Sequence, residues 1–280
     1  MDWLESWKVP IGKWAKAIVD WLTNNLAWFF DGLSSVLDAV ISVLLFILQW
    51  PPALVIIALV TALSWYLRRS IAFSVFTCLG LLLIVNQGYW EETTETLALV
   101  LASSAVCMGV GVPLGIAAAR RPWLFSAMRP ILDLMQTIPT FVYLIPALIL
   151  FGLGMVPGLI ATVIFAIPAP IRLTHLGISS TPKPLLEAGQ AFGATKSQLL
   201  WKVELPYAMP QIMAGLTQTI MLSLSMVVIA ALVGADGLGV PTLRALNQVN
   251  IAKGFEVGVA IVMIAIILDR LFRAEKKGEK

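Results

Sequence analysis

Charged residues are scarce in this sequence. Only 12% of its 280 residues are Asp, Glu, Lys or Arg, whereas soluble globular proteins have about 25%. Hydrophobic residues make up 59% of the chain, and the mean hydropathy is +0.89. This composition excludes an ordinary soluble domain and predicts a protein that lies in a lipid bilayer.

Residue types that carry enzyme chemistry are equally scarce. The sequence has one histidine, His175, and two cysteines, Cys78 and Cys107, which both lie inside apolar runs. These three residues predict neither a disulfide framework nor a metal site. Their scarcity also argues against an intramembrane enzyme, which needs a paired nucleophile and base or a bound metal. A phosphate-binding Gly-x-x-x-x-Gly-Lys-Ser/Thr loop is also absent, so any ATP-driven step requires another subunit.

Long apolar runs are what the sequence has instead. A membrane-spanning helix needs about 20 residues, and seven runs approach or exceed this length: residues 53–67, 71–85, 97–119, 131–151, 156–171, 211–233 and 257–271. We therefore predict an all-α polytopic membrane protein with seven spans. From residue 97 onward, none of the spans has a charged side chain near its middle, which disfavours an ion or proton relay.

Basic residues indicate which loops face the cytoplasm. Fourteen of the 19 lysines and arginines fall in alternate loops and in the C-terminal tail, whereas only Arg244 and Lys253 fall in the other loops. Cytoplasmic loops are enriched in such residues. The same scattered distribution offers no basic patch for nucleic acid.

The segment from Leu26 to Gln49 is ambiguous. Its polar residues form one stripe at helical spacing: Asp31, Ser35, Asp38 and Ser42. An aspartate at the centre of a span costs about 2.5 to 3.5 kcal/mol, so we predict an amphipathic helix that lies in the membrane interface. An eighth span whose stripe packs against the other helices remains the alternative.

These patterns divide the chain into four parts. Residues 1–50 form an N-terminal interfacial region, residues 51–95 an accessory membrane scaffold, residues 96–272 the core, and residues 273–280 a charged cytoplasmic tail. The core contains a long cytoplasmic connection, residues 174–209, which has polar and apolar residues at helical spacing.

This connection is predicted to fold as a helix, a glycine turn and a second helix. Gly193 marks the turn, and Thr195 and Gln198 are spaced as a capping box that starts the second helix. Pro206 is expected to end that helix. An exposed helical hairpin of this kind is suited to docking on a partner protein.

The connection resembles the EAA loop of binding-protein-dependent ABC importer permeases. The similarity rests on the segment Glu187-Ala188-Gly189, on Gly193 six positions after the glutamate, and on Leu205-Pro206. Gly189 replaces the alanine that is usual in the motif. A wider similarity runs from about residue 97 to 270 and is closest to permeases for glycine betaine, proline betaine and choline. It includes the segment Leu-Asp-Leu-Met-Gln-Thr-Ile-Pro at residues 132–139.

The resemblance implies a fold and a set of partners. The fold is a type I ABC importer (MetI-like) transmembrane domain in the cell inner membrane. The expected partners are two copies of an ATPase subunit, which would bind ATP and Mg, a substrate-binding protein, a second copy of this chain and membrane lipid. This chain itself would need no cofactor. The residues that inherit the ATPase-coupling role are Glu187, Ala188, Gly189, Gly193, Leu205 and Pro206.

A translocation path requires polar groups and broken helices inside the membrane. Pro139 and Pro146 are both expected to interrupt the run at residues 131–151. The candidate path residues lie near the first break and on a later span: Gln136, Thr137, Pro139, Thr140, Phe141, Tyr143, Thr217 and Gln218. Small hydroxyl residues also join helices without lining a path, and this role is favoured for Ser103, Ser104 and Ser223. A secondary transporter that works alone is the alternative function.

Overall fold

The computed structural model describes residues 9–273, and this part of the chain is helical, without a strand. The predicted all-α fold is confirmed. The helices are α1 Ile11–Gln49, α2 Ala53–Arg68, α3 Ile71–Asn86, α4 Trp90–Arg120, α5 Pro122–Thr137, α6 Thr140–Phe151, α7 Met155–Ala166, α8 Pro168–Ser179, α9 Lys183–Ala191, α10 Lys196–Leu199, α11 Leu205–Ala230, α12 Gly239–Asn247 and α13 Ile251–Phe272.

The helices coincide with the predicted apolar runs, but two of them are shorter than the other spans. The helices α1, α4 and α13, the α7–α8 unit and the continuous helix Lys196–Val233 are long and apolar enough to cross a membrane. The helices α2 and α3 have 16 residues each, which corresponds to about 24 Å at 1.5 Å per residue. Each of the seven predicted apolar runs therefore coincides with a helix or with a pair of consecutive helices.

The run at residues 131–151 is not a continuous helix. Its two parts, α5 and α6, meet at an angle of 95°, and Pro139 lies at the break as predicted. The prediction that Pro146 also interrupts the run is wrong, because Pro146 lies inside α6. One proline removes a single backbone hydrogen bond, and the buried neighbours Leu144 and Ala147 hold this turn against the core.

The centre of the fold is the packing of α4, α7 and α11 around one another and around α8. Two glycines of α4 allow the closest approach to α8. A Cβ atom at Gly111 would lie 2.8 Å from the Cγ of Pro170, and one at Gly115 would lie 2.6 Å from the Cβ of Thr174. Small residues four positions apart let membrane helices pack closely, and here they set the spacing of the core.

Helix α1 lies against the side of the core that is predicted to face outward. Near its middle, Phe30 packs edge to face on Phe151, with 5.5 Å between the ring centroids. At its C-terminal end, the Gln49 amide donates a hydrogen bond of 2.9 Å to the Thr94 hydroxyl. Both partners belong to the outer ends of their helices, so these contacts favour an interfacial position for residues 30–49, although α1 is long enough to cross.

Candidate functional site

The first arm of the hairpin that is predicted to face the cytoplasm is α9, and it ends in a defined turn. Gly193 has a φ of +76°, a left-handed conformation that glycine adopts without strain. The Gly193 N–H donates to the Gln190 carbonyl at 2.9 Å, and the Ala194 N–H donates to the Gly189 carbonyl at 3.0 Å. This pair of bonds is the Schellman motif, and it confirms that the turn is built on Gly193.

The second arm begins with the predicted capping box. The Thr195 hydroxyl accepts from the Gln198 N–H, and the Gln198 side chain accepts from the Thr195 N–H at 2.8 Å. The arm does not end at Pro206, so that part of the prediction is wrong. A wider π-helical turn, Leu200–Glu204, leads directly into α11. Pro206 lies in the first turn of α11, where a missing N–H is tolerated.

The six candidate coupling residues fall into two groups. Glu187, Ala188, Gly193 and Pro206 are exposed, whereas Gly189 and Leu205 are half-buried. Leu205 packs with the buried residues Ala208 and Ile212 of α11. The exposed group is accessible to a partner. Of the half-buried pair, Leu205 packs against the core below the hairpin, and Gly189 packs inside the hairpin.

Gly189 lies where the two arms touch. A Cβ atom at this position would lie 2.5 Å from the Cδ2 of Leu199. Because that atom is the end of a flexible side chain, a small residue fits there after a minor rearrangement, whereas a large one would push the arms apart. The departure from the usual alanine is therefore consistent with the same packing.

Sequence analysis missed two aromatic residues of this hairpin. The Phe192 side chain at the tip is 91% exposed, and Trp201 on the second arm is 65% exposed. Large aromatic residues that solvent reaches on a folded element often mark interaction surfaces. Their position next to Gly193 and after the capping box could have identified them.

An arginine connects the hairpin to the membrane core. The Arg120 guanidinium, at the cytoplasmic end of α4, donates to the Lys196 carbonyl at 3.0 Å and to the Glu204 carboxylate at 3.1 Å. The Arg120 side chain is 37% exposed and that of Glu204 is 16% exposed. These bonds join the second arm of the hairpin to the end of α4.

Polar residues before the α5–α6 break are held by a second arginine. Arg172 of α8 donates to the Asp133 carboxylate at 2.6 Å and to the Gln136 side-chain oxygen at 3.0 Å. Gln136 is thus a candidate path residue that already has a partner within the chain. Asp133 and Arg172 are 39 positions apart in the sequence, so residue spacing alone does not reveal this pairing.

The other candidate path residues around the break differ in their surroundings. Thr137, Pro139 and Phe141 are exposed, and Thr140 and Tyr143 are half-buried. The Tyr143 hydroxyl is buried and has no hydrogen-bond partner among the described residues. Its ring belongs to a small cluster in which α6 packs on the later part of α11.

The candidate path residues on α11 differ in exposure. Thr217 is half-buried and Gln218 is exposed, and within residues 9–273 no hydrogen bond joins either of them to α5 or α6. The Ser103 hydroxyl donates to the Ser223 hydroxyl at 3.1 Å, which agrees with the helix-joining role predicted for this pair.

The loop after α11 returns to the predicted outer end of α4. The Leu238 N–H donates to the Thr96 hydroxyl at 2.9 Å. Gly237, whose φ is +121°, lies so close that a Cβ atom would be 2.7 Å from the same oxygen. The loop is thereby fixed to the core, and it leaves Asp236 exposed on the outer surface.

Comparisons with known proteins agree with this architecture. Residues 111–274 match the family model described as "Binding-protein-dependent transport system inner membrane component". The chain is 46% identical to the glycine betaine/carnitine transport permease protein GbuB of Listeria monocytogenes, with 97% of each chain covered. It is also 46% identical to the glycine betaine transport system permease protein OpuAB of Bacillus subtilis, covering 98% of this chain and 96% of the relative.

A more distant relative and a solved structure extend the comparison. The chain is 43% identical to the glycine betaine/proline betaine transport system permease protein ProW of Escherichia coli, covering 95% of this chain and 75% of the relative. An inward-facing structure of the MetNI methionine ABC transporter matches 66% of this chain and 94% of its own, with a TM-score of 0.59 and 25% identity. The predicted MetI-like fold and inner-membrane location are confirmed. This chain belongs to the family of inner membrane components, or permeases, of binding-protein-dependent ABC importers.

Proposed function

We propose that this permease imports a quaternary ammonium compound, either choline or glycine or proline betaine, using ATP that a separate subunit hydrolyses. The hairpin formed by α9 and α10 is the observation that carries the proposal. It is capped at both sides of its turn, exposed at its tip and joined directly to the long helix Lys196–Val233. The names of the relatives support the substrate class, since they refer to glycine betaine, carnitine and proline betaine.

The hairpin is proposed to dock on the ATPase, with one ATPase copy for each copy of this chain. Glu187, Ala188 and Phe192 are exposed on the first arm and its tip, where they can enter a groove of the partner. Movement of the groove would pass through Arg120 to α4 and through the continuous second arm to α11. ATP and Mg would bind to the partner, which supplies the phosphate-transfer chemistry.

A symmetric homodimer is proposed to form the path. On α11, Gln218 and Ser225 are exposed and lie seven positions apart, on one helical face. A side-chain amide that faces lipid has no hydrogen-bond partner, which is costly, so this face is suited to a water-lined passage or to another protein surface. In a dimer with a two-fold axis, the Gln218 and Ser225 faces of the two α11 helices would lie opposite each other along the axis. A substrate-binding protein would deliver cargo to the outer surface near Asp236.

The test is uptake of labelled choline and glycine betaine in a host that lacks its own transporters. The chain is expressed alone, and also together with its ATPase and binding protein. We expect uptake only when all components are present, and we expect Glu187→Ala to abolish it while membrane insertion is unchanged. The Gly109→Ala variant is the control, because Gly109 lies far from the hairpin and a Cβ atom there meets no described atom within 4 Å. Uptake by the chain alone, driven by an ion gradient, would instead support the secondary transporter.

A further inference from the structure

A basic pocket lies at the cytoplasmic ends of the helices, away from the hairpin and the candidate path. It forms where the end of α2, the start of α3 and the end of α13 meet, and its volume is about 270 Å³. The lining residues are Arg68, Ser70, Phe73, Arg270 and Arg273. Three of the five are arginines, and none is acidic.

The arginines lack a counter-charge inside the described part of the chain. Within residues 9–273, none of the three forms an ion pair with a carboxylate. Arg68 donates to the carbonyl oxygens of Leu271, at 3.3 Å, and Arg273. Its Nε atom is buried and has no partner among these residues. Like charges that converge on one pocket repel one another, so an anion in the pocket would relieve the repulsion.

Phe73 helps to position one of the arginines of the pocket. The Arg270 guanidinium lies over its ring, 5.9 Å from the centroid, at a distance suited to a cation–π interaction. The Ser70 hydroxyl caps the first turn of α3, so this helix also directs its positive end toward the pocket. The geometry thus combines three guanidinium groups with a helix N-terminus, a combination suited to a phosphate group.

A second feature lies beside the pocket: the face of α3 that points away from the buried Phe73 side chain is apolar and exposed. Ile71, Val75 and Leu79 lie four positions apart, and their side chains are 74%, 49% and 61% exposed. Residues with this spacing share one helical face. The apolar face begins at Ile71, the residue that follows the pocket residue Ser70. A ligand with a phosphate in the pocket and hydrocarbon chains that pass around the start of α3 onto this face uses both features, whereas free phosphate uses only the pocket. The distribution of basic residues places this end of the helices at the cytoplasmic leaflet.

We propose that the pocket binds the phosphate of an anionic phospholipid of the cytoplasmic leaflet, whose acyl chains lie on the exposed apolar face of α3 that begins at Ile71. The bound lipid joins the α2–α3 pair to α13. This arrangement reinforces the contact that Arg68 already makes with the end of α13. The lipid is therefore a structural ligand of the accessory scaffold, and its binding is independent of the transported substrate.

Lipid binding to the purified full-length chain in detergent tests this proposal. Native mass spectrometry compares phosphatidylglycerol with phosphatidylcholine, and a second titration uses inorganic phosphate. We expect phosphatidylglycerol to bind more tightly than phosphatidylcholine. The double variant Arg270→Gln, Arg273→Gln should weaken phosphatidylglycerol binding roughly 30-fold, since each interfacial arginine contributes about a factor of five. Arg68 is left unchanged because it also donates hydrogen bonds to carbonyl oxygens at the C-terminal end of α13.

Two further variants separate the pocket from general charge and from misfolding. Arg129→Gln removes one charge from the same face of the membrane outside the pocket, and it should leave binding unchanged. The double variant Arg270→Lys, Arg273→Lys keeps the charges and should retain the preference for phosphatidylglycerol. Equal affinity for the two lipids, equal binding by the glutamine variant, or saturation of the pocket by inorganic phosphate at lipid-like concentrations would each overturn the proposal.

Discussion

The turn at Gly193 offers a direct test of how strongly the hairpin shape controls transport. Its φ of +76° costs an L-amino acid about 1–2 kcal/mol. No described atom lies within 4 Å of the position that a Cβ atom would occupy. A substitution at Gly193 therefore introduces backbone strain without a steric clash, so its effect reports on the conformation of the turn.

Three substitutions at Gly193 introduce increasing amounts of backbone strain. Asparagine tolerates the left-handed region, alanine pays the full penalty, and valine, which is β-branched, is strained further. A strain of 1–2 kcal/mol changes the ratio of the native turn to a relaxed turn by about fivefold to thirtyfold. We therefore expect uptake to decrease in the order glycine, asparagine, alanine, valine, because the relaxed turn loses both Schellman hydrogen bonds.

The assay measures labelled uptake and ATP hydrolysis in membranes that contain equal amounts of each variant beside the ATPase and binding protein. Gly109→Ala serves again as the control, since Gly109 lies within helix α4 without a positive φ. Wild-type uptake by Gly193→Val at equal abundance would refute the argument. So would equal losses in Gly193→Asn and Gly193→Val, because strain predicts a graded effect.

Two further predictions concern the packing of the core. A double-mutant cycle of Arg172→Gln and Asp133→Asn should give a stabilising coupling free energy of about 0.2–1 kcal/mol, because these side chains are 35% and 56% exposed. Thermal unfolding measures the coupling, and a value of zero would contradict the prediction. Gly115→Ala should destabilise the protein by about 1–3 kcal/mol, because the added Cβ would lie 2.6 Å from the Cβ of Thr174. An unfolding midpoint equal to that of Gly109→Ala would contradict the close packing of α4 on α8.

Proline effects separate what local sequence predicts from what it does not. Pro139 breaks its helix as expected, whereas Pro146 and Pro206 lie inside helical structure. A proline removes one hydrogen bond and imposes one φ angle, and the surrounding packing determines whether the helix bends. Buried neighbours keep α6 intact around Pro146, and the preceding π turn admits Pro206 at the start of α11.

The sequence by itself determined the membrane location, the apolar runs and the form of the hairpin turn. Composition does not depend on how the chain folds. The turn depends on contacts between residues at most six positions apart, such as the capping box of Thr195 and Gln198. Short-range hydrogen bonds of this kind are visible in residue spacing.

Only the tertiary structure decided how distant polar groups pair. The hydrogen bonds from Arg172 to Gln136 and from Arg120 to Glu204 join segments far apart in the chain. The 95° angle between the consecutive helices α5 and α6 also depends on how they pack. The pocket brings Arg68 to Arg273 from more than 200 positions away. Helix packing makes these contacts, and it depends on the close approach at residues such as Gly111 and on the shape of every neighbouring helix.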